Sequence, residues 1–168
     1  MLNHDAEMTT LEELAGRNIS PDEQLFIRPD SDLKPFAGAL WPFGTFLKFF
    51  QRVCEQGDSS APKTPVFVAP RKPIQHEWRL FVVDRSVSSG SHYRFMGDPE
   101  IDADVPDEVI AFGNHLAAVW SPARAFVLDI ASIATDLRLV EINGFHSCGF
   151  YAADITRIVA DMSENVAW

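Results

Sequence analysis

The chain has 168 residues, 46% of them hydrophobic and 23% charged, a balance that is typical of folded globular proteins and excludes intrinsic disorder. Its formal net charge of -10 argues against nucleic acid as a partner, because a phosphate backbone is bound through a basic surface. Two cysteines cannot form a disulfide framework, no apolar run is long enough to span a bilayer, and the acidic start is unlike a signal peptide. These features predict a cytoplasmic protein without a membrane partner.

The first part of the chain predicts short elements separated by loops rich in proline and glycine. In chain order, we predict a short helix within residues 9–16, a strand over Gln24–Arg28, a long loop over residues 30–44, and a helix that begins after Thr45 as its cap and ends before Gly57. The polar segment 57–65 is the best candidate for a flexible connection. It predicts a first lobe of approximately residues 22–64 and a second lobe of residues 65–168, within a single domain that spans the chain, with no preceding domain visible.

The second part of the chain predicts mainly strands in hairpins. The predicted elements are a strand at residues 66–69, a strand over Glu77–Asp84 with a tight turn and a second strand through Tyr93, an acidic loop at residues 97–106, a helix opened by Pro106, strands at residues 125–131 and 137–143, and a final helix that carries Ile155, Ile158, Val159 and Met162 on one face. Because consecutive strands are not separated by helices, this pattern indicates an α+β fold with antiparallel hairpins and flanking helices.

The strands at residues 125–131 and 137–143 predict a candidate metal site. In a hairpin centred on Thr135, Asp129 stands opposite Glu141, and Asn143 lies two residues further along the same face. Like charges that face each other across strands are destabilising, and a divalent cation would offset that cost. Carboxylate and amide oxygens suit the hard Mg²⁺ ion. A solvated acidic face is the alternative that the pattern leaves open.

The preceding hairpin predicts a phosphate-binding arginine. A turn at Asp84-Arg85 would set Arg79 opposite Gly90, which leaves room for the guanidinium to reach a phosphate. The same register would set Glu77 opposite His92. It would place Glu77, Arg79, Ser86, Ser88 and His92 on one face and Trp78, Leu80, Val82 and Tyr93 on the other. The alternative is a surface hairpin with an ordinary contact between glutamate and arginine.

Two further cations lie close together in the first lobe. Arg28 ends a predicted strand and Lys34 lies in the following loop, a position from which cations can close over phosphates. The chain contains neither a Walker loop nor a GxGxxG motif, so P-loop and Rossmann nucleotide binding are disfavoured. No HxxxH or CxxC spacing supports a zinc site.

Together, five segments resemble the ATP-grasp fold, and more narrowly its divergent clade named for one arginine and two lysines. That clade includes the eukaryotic translation-initiation-factor assembly chaperone of cell-division-cycle type. The segments are FIRPDSDLK, HEWRLFVVD followed by SGSHYR, AFVLDIA and VEINGFHSCGFYAADI. The resemblance covers the chain from about Phe26 to Met162 and implies two small lobes around an ATP cleft.

The resemblance implies a role for particular residues. The expected magnesium ligands are Asp129, Glu141 and Asn143. The expected phosphate-binding cations are Arg28, Lys34 and Arg79, of which Arg79 and Lys34 are also expected to be catalytic. The strand with Val66, Phe67 and Val68 is expected to bind adenine through its backbone, and Glu77 is expected to touch the ribose or order Arg79.

The resemblance also implies an activity. In ATP-grasp enzymes a carboxylate attacks the γ-phosphate to give an acylphosphate, which an amine or a thiol then opens. We therefore expect an ATP- and magnesium-dependent ligase of carboxylate-amine type, acting on a small molecule, a peptide or a protein. The alternative is a non-catalytic ATP-binding module that acts as an assembly chaperone for a protein partner.

Overall fold

A computed structural model describes residues 1–31 and 36–164 of the chain. Its strands are β1 (Glu7–Thr10), β2 (Gln24–Pro29), β3 (Ala39–Pro42), β4 (Pro65–Pro70), β5 (His76–Val83), β6 (Ser86–Phe95), β7 (Asp98–Asp102), β8 (Ala125–Ile133) and β9 (Asp136–Gly144), and its α-helices are α1 (Leu11–Ala15), α2 (Phe43–Glu55), α3 (Asp107–Val119) and α4 (Ile155–Glu164). Both sheets are antiparallel, so the predicted α+β class is confirmed. None of the described helices is long and apolar enough to cross a membrane.

The chain forms two compact units, one of residues 3–71 and one that runs from Lys72 onward and includes Met1 and Leu2. In the first unit the strand order is β1-β4-β2-β3, and one face of the sheet packs with α1 and α2 around a shared apolar cluster. Helix α1 is held at its start by a capping box, in which the Thr10 hydroxyl accepts from the Glu13 amide and the Glu13 carboxylate accepts from the Thr10 amide.

Helix α2 starts earlier than the sequence predicts. Its first residue is Phe43, with Pro42 as the N-cap, and Thr45 lies inside the first turn rather than capping it. Phe43 and Phe46, three residues apart, are both buried against the first unit's core. The apolar face of α2 therefore begins at Phe43, three residues before the position at which the sequence pattern places its start.

Two segments predicted as loops contain strands. Strand β3 lies in the segment 30–44 and pairs with β2, and β7 lies in the acidic segment 97–106 and pairs with β6. Both are short edge strands. Their local composition disfavours strands, but hydrogen bonds from the neighbouring strand stabilise them. The β6–β7 turn is a two-residue one with positive φ at Met96 and Gly97.

In the second unit the strand order is β7-β6-β5-β8-β9, and alternate residues of the central strands pack on opposite faces. One face packs against α3 through a large apolar cluster, and the other packs against α4 through a smaller one that contains Phe81 and Val127. Leu80 is fully buried on the α3 face between two glycines. A Cβ would lie 2.6 Å from a Leu80 methyl carbon at Gly90 and 2.4 Å from the other at Gly113. A Cβ at either position would therefore force the buried Leu80 side chain to shift.

The predicted register is correct at the key pair of one hairpin and wrong in much of the other. Asp129 does stand opposite Glu141. In the β5–β6 hairpin, a register shift between Phe81 and Val82 places Arg79 opposite Ser91 rather than Gly90. A second shift, next to Glu77, pairs that residue with Arg94 rather than His92. These shifts are β-bulges, each of which adds one residue to β6 relative to β5.

The bulges exchange the faces of two side chains. Tyr93, predicted on the face of Trp78, instead contacts Glu77 and Arg79. His92, predicted on the face of Arg79, instead stands opposite Trp78, with the two ring centroids 5.6 Å apart. Because side chains alternate with a period of two, a shift of one residue is enough to exchange the faces.

Candidate functional site

Asp129, Glu141 and Asn143 lie together on the α4 face of the five-stranded sheet. The Asn143 side-chain amide donates to Glu141 Oε1 at 2.8 Å and lies 3.4 Å from Asp129 Oδ2. Asp129 is only 2% exposed, whereas Glu141 and Asn143 lie nearer the surface on β9. Strand β8 is central and β9 is an edge strand, so the trio joins a buried carboxylate to two more accessible groups.

Arg79 joins this cluster from β5, directly opposite Asp129. Its Nε donates to Asp129 Oδ1 at 2.8 Å and its Nη2 donates to Oδ2 at 2.7 Å, so one guanidinium covers both carboxylate oxygens. The Arg79 side chain is 12% exposed. This is a bidentate, largely desolvated ion pair, a type of contact that is stronger and more specific in geometry than a single hydrogen bond.

Two tyrosines flank the Arg79 guanidinium. Its carbon atom lies 5.5 Å from the centre of the Tyr93 ring and 5.3 Å from that of the Tyr151 ring. The two rings are nearly parallel, at 8°, with centroids 5.1 Å apart. The aromatic faces favour the cation. These contacts, together with Gly149 O at 3.4 Å from Arg79 Nη1, were not foreseen from the sequence.

The segment from Phe145 to Asp154 carries Tyr151 to this position. Phe150 stacks on Phe81, with ring centroids 5.1 Å apart, which fixes the segment to the sheet. The backbone amides of Ala152 and Asp154 donate to the hydroxyls of Ser91 and Ser89 on β6. Tyr151 itself has φ 51°, in the left-handed region that side chains rarely adopt. Several contacts thus fix an unfavourable backbone conformation beside Arg79.

The Glu77 carboxylate has a different set of partners from those predicted. It accepts from the Tyr93 hydroxyl at 3.0 Å and from Arg94 Nη1 at 3.1 Å. Glu77 is 7% exposed, so these two donors satisfy a buried carboxylate. Its link to Arg79 runs through Tyr93, whose hydroxyl donates to Glu77 and whose ring lies beside the Arg79 guanidinium.

Burial and neighbouring charges perturb three groups around the site. Burial raises the pKa of the Asp129 carboxyl, and Glu141 raises it further, while the contact with Arg79 acts in the opposite direction. The hydrogen bonds to Asp129 raise the pKa of the Arg79 guanidinium, which therefore stays charged. Burial, followed by the charges of Asp129 and Glu77, raises the pKa of Tyr93. Perturbed groups of this kind cluster at functional sites.

Four of the predicted residues of the first unit lie on β2 and β4. Arg28 stands opposite Phe67 and its guanidinium carbon lies 4.9 Å from the centre of that ring. Val66 and Val68 point the other way, into the core between the sheet and the helices. Lys34 lies outside the described residues.

A comparison with protein families identifies the group to which the chain belongs. Residues 2–162 match an ATP-grasp domain family, the third family of the clade named for one arginine and two lysines. The chain is a member of this ATP-grasp family. The predicted resemblance to the ATP-grasp fold and to that clade is thereby confirmed. A search of curated protein sequences finds no match.

Solved ATP-grasp structures share the fold at low sequence identity. The ATP-grasp ligase PsnB, complexed with a phosphomimetic variant of minimal precursor, Mg and ADP, is 18% identical with a TM-score of 0.58, over 93% of this chain and 52% of that one. D-alanine–D-alanine ligase from Bacillus anthracis complexed with ATP is 14% identical with a TM-score of 0.52, over 83% of this chain and 46% of that one. The ATP-grasp chain described here thus spans about half the length of these ligases.

The trio in this ATP-grasp chain suits magnesium by its chemistry. Two carboxylates and an amide that can present its oxygen form an all-oxygen donor set, which Mg²⁺ prefers. Within the residues that the structure describes, no group of three or more His, Cys, Asp or Glu side chains could hold a metal, so Asn143 would be the third protein ligand. The Arg79 contact covers the Asp129 oxygens that such an ion would use.

Proposed function

We propose that this chain binds ATP with magnesium and takes part in an ATP-dependent ligase reaction of carboxylate-amine type. The observation that carries the proposal is the meeting of Asp129, Glu141, Asn143 and Arg79 on one sheet face. Three oxygen-bearing groups for a cation lie there beside a guanidinium for a phosphate. Membership of the ATP-grasp family supports the assignment.

In the proposed reaction, a substrate carboxylate oxygen forms a bond to the γ-phosphorus while the bond from phosphorus to ADP breaks. An amine then attacks the acylphosphate carbonyl, and inorganic phosphate leaves together with a proton from the amine. Magnesium bound by Asp129, Glu141 and Asn143 would offset phosphate charge. Arg79 would bind phosphate oxygens through its two-pronged guanidinium.

The remaining predicted residues have proposed roles, which membership of the family supports. Arg28 and Lys34 are proposed to contact phosphate, and the backbone of Val66, Phe67 and Val68 to contact adenine. Glu77, which accepts from Tyr93 and Arg94, is proposed to touch the ribose or to order Arg79 through the shared tyrosine. Arg79 and Lys34 are the proposed catalytic residues.

A peptide or protein is the substrate class that we favour. PsnB, one of the ligases with this fold, has been solved with a precursor peptide. By extension, we propose that the chain described here acts on a peptide carboxylate or amine, with a small-molecule substrate as the other outcome.

Calorimetry with ATP, with and without Mg²⁺, tests the binding part of the proposal. We expect Mg²⁺-dependent binding in the wild type and its loss in the double variant Asp129→Asn, Glu141→Gln. Asp84→Asn is the matched control, because it also alters an Asp–Arg pair of this unit but lies at the β5–β6 turn. If nucleotide fails to bind, or if the double variant keeps its Mg²⁺ dependence, the site is wrong.

Release of ADP tests the catalytic part. We expect ADP to accumulate when ATP, Mg²⁺ and a mixture of candidate peptides are all present. The new amide bond should appear as the loss of one water from one peptide, or as a product with the mass of two peptides less one water. Binding of ATP without any turnover across such mixtures would instead favour the non-catalytic module that assembles a protein partner.

A further inference from the structure

A cation and a phosphate bound at the proposed site would act on Arg79 in opposite ways: the cation would repel its guanidinium, and the phosphate would attract it. Its guanidinium donates to both oxygens of Asp129, at 2.8 and 2.7 Å. A cation bound to the same carboxylate would lie close to a permanently charged guanidinium. A phosphate, in contrast, would attract that guanidinium.

Asp129 has little remaining surface from which a cation could approach. A carboxylate offers about four lone-pair positions. Arg79 uses one on each oxygen, Asn143 Nδ2 lies 3.4 Å from Oδ2, and the residue is 2% exposed. A cation could therefore gain full access to this carboxylate only if the guanidinium moved away.

The surroundings of Arg79 favour a guanidinium that can be displaced without being lost from the site. The rings of Tyr93 and Tyr151 flank it, and one of its nitrogens reaches Gly149 O, so three contacts are independent of Asp129. Tyr151 is 45% exposed, whereas Tyr93 is buried, so only the Tyr151 side of this aromatic pair lies at the edge of the site.

We propose that Arg79 is a competitor of the divalent cation for Asp129, and that nucleotide phosphates relieve this competition by drawing the guanidinium away. The idea rests on the proposed function. It adds that the cation and the nucleotide bind as a coupled pair: each binds weakly alone, and each increases the affinity of the other by the same factor, as linkage requires.

Binding of Mn²⁺, followed by electron paramagnetic resonance without any nucleotide, tests this competition directly. We expect Arg79→Gln to bind Mn²⁺ roughly tenfold more tightly than the wild type, within the range of coupling measured for paired side chains. We also expect a nonhydrolysable ATP analogue to enhance Mn²⁺ binding in the wild type and to enhance it far less in Arg79→Gln.

Two further variants test whether the effect comes from the contact of Arg79 with the Asp129 carboxylate or only from the loss of a positive charge. Arg94→Gln removes a guanidinium that also contacts Tyr93 but pairs with Glu77, and we expect it to leave Mn²⁺ affinity within about twofold of the wild type. Arg79→Lys keeps the charge but cannot bridge both oxygens, and we expect a partial gain. Circular dichroism would verify that each variant is folded.

The outcomes distinguish this inference from the proposed function. If the wild type binds nucleotide with Mg²⁺ but neither Arg79 variant gains Mn²⁺ affinity, the competition is refuted and the ATP site stands. The same gain in Arg94→Gln as in Arg79→Gln would also overturn it, because charge alone would then explain the effect. If no nucleotide binds but Arg79→Gln gains Mn²⁺, the proposed function fails while the competition at Asp129 is supported.

Discussion

The two faces of the five-stranded sheet are built from the same strands, but they differ in the residues that they bury. On the α3 face, Leu80, Leu128 and Ile130 belong to one continuous apolar cluster. On the α4 face, their sequence neighbours Arg79 and Asp129 form a buried ion pair beside a smaller apolar cluster. Alternation along β5 and β8 thus separates the residues of the larger apolar core from the residues of the candidate site.

The largest effect that this comparison predicts is on the α3 face. Leu80→Ala removes a fully buried side chain that fits between Gly90 and Gly113, so a cavity remains. We expect the free energy of unfolding to fall by about 2–5 kcal/mol in urea titrations. Val119→Ala, on a side chain of α3 that is 71% exposed, is the control and should change little. If Val119→Ala lowered the free energy of unfolding as much as Leu80→Ala, the burial of Leu80 on the α3 face would not explain the loss.

A smaller and pH-dependent effect is expected on the α4 face. Tyr93→Phe removes the hydroxyl that donates to Glu77, and we expect a loss of about 1.5–3 kcal/mol at pH 7, as for hydrogen bonds to charged groups. Burial raises the folded-state pKa of Tyr93, so its contribution is complete below the unfolded-state pKa of about 10 and is lost as pH rises above it. The difference between the wild type and Tyr93→Phe should therefore shrink in urea titrations above that pH.

Tyr151→Phe provides the comparison for this measurement, since Tyr151 is 45% exposed and stacks on Tyr93 through its ring, which the substitution keeps. A loss equal to that of Tyr93→Phe, or a Tyr93→Phe difference that stays constant with pH, would contradict a buried hydroxyl bound to Glu77.

The smallest effect concerns reactivity and leaves stability unchanged. Cys148 is half-buried at the edge of the α4-face cluster, and its thiol donates to Phe145 O at 2.9 Å. Burial raises its pKa, with Arg79 opposing that change, so less of the reactive thiolate is present at neutral pH. We expect iodoacetamide to modify the exposed Cys54 first, as measured by mass spectrometry of the two peptides.

The pH profile sharpens this last prediction. The rate for Cys148 should keep rising beyond a pH of about 8.5, the ordinary midpoint for a thiol, because the thiolate forms only at higher pH. In urea the two cysteines should react at similar rates. Equal rates in the folded protein would mean that the edge of the cluster opens readily to solvent.

The predicted pairing of Asp129 with Glu141 in the β8–β9 hairpin is correct partly because two differences from the predicted hairpin offset each other. The turn consists of Ala134 and Thr135 rather than being centred on Thr135, and one register shift follows at Asp129. Together they restore the predicted pairing of Asp129 with Glu141. Alternation of polar and apolar residues indicates which segments are strands, but it contains little information on bulges.

The β5–β6 hairpin shows more clearly how far strand register can be predicted from the sequence. Its turn at Asp84 and Arg85, both with positive φ, was predicted correctly, and the first pairs follow from it. The bulges lie beyond those pairs, so the partners of Arg79 and the face of Tyr93 were wrong. Tyr151 could not be found, because its place beside Arg79 depends on aromatic stacking and serine hydrogen bonds across the fold.

The bulge near the start of β5 has a consequence for how the strand can vary. Tyr93 and Arg94 are adjacent in sequence, yet both donate to the Glu77 carboxylate. In a regular strand, neighbours point to opposite faces, and only one of them could do so. The extra residue therefore gives a buried acid two donors from a single dipeptide. Deleting one residue from this part of β6 would cost that acid a partner, so the length of the strand is as constrained as its composition.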